Sequence, residues 1–297
     1  MHGIVTVLNT PFTDNNKLDK HALRLNAKEA LKAGVAGFLV PAMASEVHKL
    51  TMMEKQAMVA TVLEEVAGRV PVFAGTAAEN IKESKTTLKV YQKLGCHHFL
   101  IQLPYISDDQ FKRDFYELHE ADPETVMLQD WSSNTYGLPD QLILELFEEV
   151  PAFRCLKVET VPAGLKYSNI LKLTNGTLNV SGGWAVMQMP EALKRGVHAF
   201  MPTAMHWIYT RIFELYRKGD QVGAEKLFRD ILPVLAFSNQ YLDISIHFFK
   251  RLLWKQGIYP TPKVRTPIFP FDQTHQEIAD TLIDSIIEVE KKIKDIG

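Results

Sequence analysis

Two cysteines among 297 residues are too few for a disulfide framework. Cys96 and Cys155 both fall in apolar, strand-like runs, so the expectation is two reduced, buried thiols in a cytoplasmic protein. An excess of one charge is also missing: 33 Lys plus Arg stand against 35 Asp plus Glu, and the basic residues are dispersed. That balance excludes the electrostatic footprint of a nucleic-acid or anionic-membrane binder and leaves a small molecule as the expected partner. Long hydrophobic runs are absent: AGVAGFLVPAMA is too short to span a bilayer, and MHGIVTVLNTPF lacks the basic region and apolar core of a targeting segment. There is no HExxH or CxxC spacing for a metal, and the glycines of SGGW do not form a dinucleotide fingerprint. No repeat or low-complexity segment breaks the chain.

What is present is alternation. Short apolar runs at 3–8, 36–41, 70–75, 98–103, 125–130, 153–158, 178–182 and 198–202 read as strands. Between them lie amphipathic stretches such as DKHALRLNAKEALKAG and TMMEKQAMVATVLEEVAG, several closed by a helix-ending glycine. Eight strands, each followed by a helix, predict an α/β chain with a (β/α)₈ TIM barrel over 1–220; a doubly wound open sheet is the alternative. From 221 to 297 helical patterns follow one another without strands, which predicts a C-terminal helical extension covering the barrel or building a subunit interface.

In such a barrel, chemistry gathers at the C-terminal ends of the strands. One lysine stands there in the otherwise apolar run RCLKVETVP. Strand alternation places Cys155, Lys157 and Glu159 on one face, with Leu156 and Val158 on the other. Burial at the barrel mouth disfavours the charged amine, and a neutral amine is a Schiff-base nucleophile. Bringing a lysine from about 10.4 to near neutrality requires about 4–5 kcal/mol, which burial supplies and an ionised Glu159 opposes. The plainer reading leaves Lys157 pointing into solvent at a strand end.

The order and spacing of GIVTVLNTPFTDNNKLD, GFLVPAMASEVHKLT, VPVFAGTAAEN, IQLPY, LKVET and NVSGGWA, over essentially the whole chain, resemble the dihydrodipicolinate synthase and N-acetylneuraminate lyase family of class I lyases. The resemblance implies a (β/α)₈ barrel, a homo-oligomer that is usually tetrameric, and an imine between Lys157 and a 2-oxo acid. It implies no metal and no organic cofactor, because a protonated imine is itself the electron sink.

Departures from that family bear on the substrate. The carboxylate-binding segment of the second loop is here Ala42, Met43, Ala44, Ser45 and Glu46, and both usual hydroxyls are missing. The substrate carboxylate is therefore expected near Ser45 and the amides of Met43, Ala44 and Ser45, although Ser45 reads equally well as a helix cap. The family's relay tyrosine aligns with Gln129, its second-carboxylate arginine with Asn134, and the second tyrosine of the fourth loop with Ile106, which argues against dihydrodipicolinate synthesis.

Glu159 is the expected replacement acid/base, with pairing to Lys157 or capping of the next helix as its structural alternatives. KVETVPAGLK and GVHAFMPTAM resemble a branch acting on 2-keto-3-deoxy sugar acids, which adds Met201 to the expected substrate contacts. Tyr105, Thr76, Asp130 and Tyr136 are further polar candidates at strand ends; His48 and His206 are read as surface or satisfied residues. The expected catalytic set is thus Lys157, Glu159 and Gln129, with Ser45, Ala44, Met43, Tyr105 and Met201 binding substrate. The expected activity is dehydration of a 2-keto-3-deoxy sugar acid. A pyruvate-dependent aldolase, dihydrodipicolinate synthase and a non-catalytic 2-oxo-acid binder are the alternatives.

Overall fold

The computed structural model describes residues 1–78 and 80–296, and of residues 184, 185 and 296 the main chain alone, so Glu79 of the GTAAEN segment and the Trp184 side chain lie outside it. Eight parallel strands follow one another in chain order around a closed barrel: β1 (Gly3–Val7), β2 (Gly37–Leu39), β3 (Val72–Gly75), β4 (His98–Ile101), β5 (Thr125–Trp131), β6 (Phe153–Glu159), β7 (Asn179–Gly182) and β8 (Ala199–Phe200). The expected TIM barrel is therefore present, and the open-sheet alternative is not. Most strands are shorter than their apolar runs, because residues such as Val40 and Pro202 are buried in the loops beyond the ladder.

The chain divides into two compact units. One comprises residues 1–2 and 71–201 and holds β3 to β8 with α3 (Ile81–Gln92), α4 (Asp108–His119), α5 (Asp140–Glu149), α6 (Ala163–Leu173) and α7 (Met189–Lys194). Its strands are buried on both faces, which is why they read as continuous apolar runs rather than alternating ones. Asn80 and Ser107 cap α3 and α4 by accepting from the amides of Glu83 and Gln110.

The other unit comprises residues 3–70 and 202–297 and holds β1 and β2 with α1 (Lys20–Lys32), α2 (Met52–Val66), α8 (His206–Arg217), α9 (Gln221–Ser238), α10 (Leu242–Lys255) and α11 (Gln273–Ile296). The boundary read at residue 220 falls between α8 and α9, yet α9 packs on α8 and α10, and α11 packs on α8, α9 and α10. The C-terminal helices thus belong to the same compact unit as β1 and β2. Phe12, on the segment leaving β1, is fully buried with Lys250 of α10 4.3 Å from its ring centre and Arg265 4.2 Å from it. Among the described residues no helix is long and apolar enough to cross a membrane.

Candidate active site

Strand register assembles the candidate site. Gln129 of β5 lies opposite Lys157 of β6, and Lys157 lies opposite Ser181 of β7, so the three side chains form one row across adjacent strands. Lys157 is 6% exposed, which disposes of the solvent-facing reading. Its Nζ lies 3.0 Å from Glu159 Oε2, and the side-chain amide of Gln129 donates to the same carboxylate oxygen. Lys157, Glu159 and Gln129 are thus in one hydrogen-bonded group. Glu159 does not cap α6, whose N-cap is Pro162 with no side-chain hydrogen bond.

Two further residues, Ser181 and Gly183, lie beside this group, and of these Ser181 was not singled out from sequence. Ser181 is buried in the row, its hydroxyl donating to the Leu156 carbonyl at 3.2 Å. Gly183 closes over the pair: a Cβ there would overlap the Glu159 carboxylate and fall 2.7 Å from Lys157 Cε. The backbone of the SGGW segment thus lies against the lysine and glutamate themselves. Behind them, Tyr167 of α6 is buried with its hydroxyl unpartnered among the described residues; burial, with Glu159 and Glu191 adding, pushes this phenol up.

Other candidates in this unit have structural partners. Thr76 donates its hydroxyl to the Leu100 carbonyl at 3.2 Å. Tyr105 is half-exposed and donates to Asp108 Oδ1 at 2.8 Å, and this bond pushes its phenol up. Tyr136 donates to Asp140 at 2.7 Å and is pushed up to about 12 by burial and then by that bond. Asp130 is buried and ion-paired with Lys166 of α6 at 2.6 Å. Met201 is buried just past β8, its amide donating to the Gly182 carbonyl at 2.9 Å.

The loop after β2 lies in the other unit. Met43, Ala44 and Ser45 form a single 3-10 turn sewn to the end of β1. Asn9 donates its side-chain amide to the Ala44 carbonyl at 2.6 Å, and Thr10 donates its hydroxyl to the Ser45 carbonyl at 2.5 Å. Ser45 Oγ donates to the Leu8 carbonyl at 2.6 Å and accepts from the Ala42 amide at 3.0 Å. A hydroxyl has one proton, so the serine side chain has none left for an anion, and the Ser45 amide itself donates to the Ala42 carbonyl at 2.9 Å. The helix cap of α2 is instead Thr51, in a capping box with Glu54.

Glu46 ends the turn in the left-handed region at φ 58°, an uncommon conformation for glutamate. Its buried carboxylate accepts from Lys250 at 2.5 Å and from the Arg265 amide at 2.8 Å. Neither Lys250 nor Lys166 was legible as a partner, although each interrupts an apolar helical stretch, in HFFKRLL and GLKYSNI. His206 is buried between Thr6 and Asn26, as its reading as a satisfied residue requires, and His48 is exposed. Among the described residues no group of three or more His, Cys, Asp or Glu is placed to hold a metal ion.

A buried lysine beside a glutamate at a strand end of a closed parallel barrel invites comparison with known proteins, and the model of the dihydrodipicolinate synthetase family matches residues 1–286. The chain belongs to that family. Its members are lyases, and this chain is a divergent one. It is 25% identical over 289 residues to a 4-hydroxy-tetrahydrodipicolinate synthase from Oceanobacillus iheyensis, covering 95% of this chain and 96% of that protein. It is 23% identical over 276 residues to an L-2-keto-3-deoxyarabonate dehydratase from Azospirillum brasilense, covering 90% and 88%. The crystal structure of dihydrodipicolinate synthase from Rhodopseudomonas palustris superposes with a TM-score of 0.87 at 20% identity, covering 96% of this chain and 97% of that one, a likeness of fold.

Proposed function

We propose that Lys157 attacks the C2 carbonyl of a 2-oxo acid and that this family member dehydrates a 2-keto-3-deoxy sugar acid. The observation that carries the reading is the Lys157–Glu159–Gln129 group, in which a carboxylate 3.0 Å from the amine takes the place of a tyrosine relay. Attack of the neutral amine and loss of one water give the iminium. Glu159 then removes a C3 proton to form the enamine, and the same proton leaves with the C4 hydroxyl as a second water. Hydrolysis of the conjugated iminium returns the first water and frees Lys157. The net change is loss of one water from the substrate.

The imine is the electron sink, so the reading includes neither metal nor organic cofactor. Tyr105 and Met201 are further substrate contacts in this proposal. It also includes a cytoplasmic homo-oligomer.

The deoxyarabonate dehydratase relative supports the dehydratase reading, and Asn134 supports a substrate whose far end is not a second carboxylate. The 25% identical synthase favours a second reading, pyruvate-dependent carbon–carbon chemistry, either aldolase or synthase. Incubation with pyruvate, borohydride reduction and mass spectrometry tests the common core: an adduct on Lys157 is expected. Folded protein without an adduct refutes imine chemistry and leaves a non-catalytic 2-oxo-acid binder. A panel of 2-keto-3-deoxy acids then separates the readings, since pyruvate released with an aldehyde sinks the dehydratase.

A further inference from the structure

Asp130 follows Gln129 on β5, so its side chain leaves the opposite face of the strand, away from the row that holds Lys157. There it meets Lys166, fully buried on α6, at 2.6 Å. Lys166 also donates to the carbonyls of Tyr136, at 3.0 Å, and Leu138, and sits 4.5 Å from the Tyr136 ring centre. The Leu138 amide donates to Asp130 Oδ1 at 2.9 Å. Gly137, at φ +81°, leaves no room for a Cβ, which would collide with Asp130 Oδ1 and fall 2.5 Å from Thr160 Cγ2. One lysine thus draws the loop 132–139 down onto the end of β5.

The residues around this pin hold Glu159 at two points. Gln129, just before Asp130, donates to the Glu159 carboxylate, and Ser132, two residues after it, donates its amide to the Glu159 carbonyl at 3.1 Å. A buried ion pair is a poor route to stability, because apolar residues of the same volume usually serve as well; its advantage is a unique geometry. We propose that Asp130 and Lys166 are positioning residues whose pairing fixes the end of β5 and so sets the Glu159 carboxylate for proton transfer at C3. The inference rests on the Schiff-base reading above and adds to it the device that aims the base.

Exchange of the C3 protons of pyruvate for deuterium in D₂O, followed by proton NMR, reads that step directly: the base removes a proton from the iminium and solvent returns a deuteron to the enamine. Borohydride trapping of pyruvate on Lys157 reads imine formation separately. The double variant Asp130→Asn/Lys166→Met removes both charges of the pair together, while Asp140, 3.9 Å from Lys166 Nζ, keeps its hydrogen bonds from Tyr136 and Asn169. It is expected to trap pyruvate with a half-saturating concentration within about twofold of the wild type, while deuterium exchange slows by about tenfold or more. Gly137→Ala keeps both charges but pushes on the Asp130 carboxylate and so displaces the loop, and the same split is expected if the double variant does not fold. Unchanged exchange, or trapping and exchange falling in proportion, overturns the positioning role. No adduct on the wild-type lysine overturns the Schiff-base reading and this inference with it, whereas an adduct with unchanged exchange overturns this inference alone.

Discussion

Lys157 Nζ and Glu159 Oε2 lie 3.0 Å apart on one face of β6, and the Gln129 amide holds the same carboxylate oxygen from β5. If Glu159 moves the C3 proton, Glu159→Gln keeps the shape and removes the base. Turnover should fall by about 10²- to 10⁴-fold, while borohydride trapping of pyruvate on Lys157 persists. Steady-state kinetics beside mass spectrometry of the trapped protein checks this. Full turnover in the variant removes the acid/base role.

Gly183 should tolerate no side chain. A methyl group there overlaps the Glu159 carboxylate and crowds Lys157 Cε at 2.7 Å, so Gly183→Ala must push both functional groups out of line. Misplacement by about 1 Å is worth about 10² in rate, and that loss is expected in kcat with the thermal midpoint little changed. A variant with wild-type kcat would show that the glycine is there for the turn alone.

Glu46 and Lys250 form a buried pair at 2.5 Å, with the Arg265 amide on the other carboxylate oxygen. Lys250→Met leaves the carboxylate only Lys49 at 3.8 Å and the Arg265 amide, and should cost up to about 3–5 kcal/mol. Adding Glu46→Gln removes the carboxylate charge and should restore most of that loss. Urea denaturation of the two single variants and the double variant gives the coupling, and strict additivity would contradict a direct pair.

Two buried groups set opposed pH dependences in the same compact unit. Burial pushes His206 down to about 4, whereas the unfolded chain takes up this proton near about 6.5. The unfolded state therefore binds more protons between those values, and stability falls as pH falls, by about 3 kcal/mol on reaching pH 4. Burial pushes Glu290 of α11 up to about 7, so the folded state binds more protons above about 4.3 and stability falls as pH rises through 7. The slopes oppose each other between about 4.3 and 6.5. Glu290→Gln should steepen the loss of urea midpoint on acidification from pH 6.5, and His206→Gln should flatten it. Identical profiles for the three proteins would rule out this balance.

The barrel was legible because it rests on local signals. Each strand is a short apolar run between turn residues, and both faces of β3 to β8 are covered, so the lysine inside RCLKVE could be seen as a misplaced charge. Strand alternation then put Glu159 beside Lys157 without further information. Strand ends were less legible: Val40 and Pro202 are apolar and buried although they have left the ladder. Polar residues at the mouth were least legible, since Thr76, Tyr105, Asp130 and Tyr136 each have the chemistry of a substrate contact, and nothing local tells which already has a partner.

The sequence by itself determined the barrel class and the placement of Lys157 on an inward strand face, while the resemblance to the family set Gln129 where a tyrosine is usual. These follow from period-two alternation and from residue identity, which need no distant contact. Only the tertiary structure decided that Ser45 turns its proton to Leu8, that Gly183 presses on Glu159, and that Lys250 meets Glu46 from 204 residues away. Those are choices of partner for buried polar groups. They are made only when helices remote in the chain close over a strand end and exclude the water that would otherwise satisfy them.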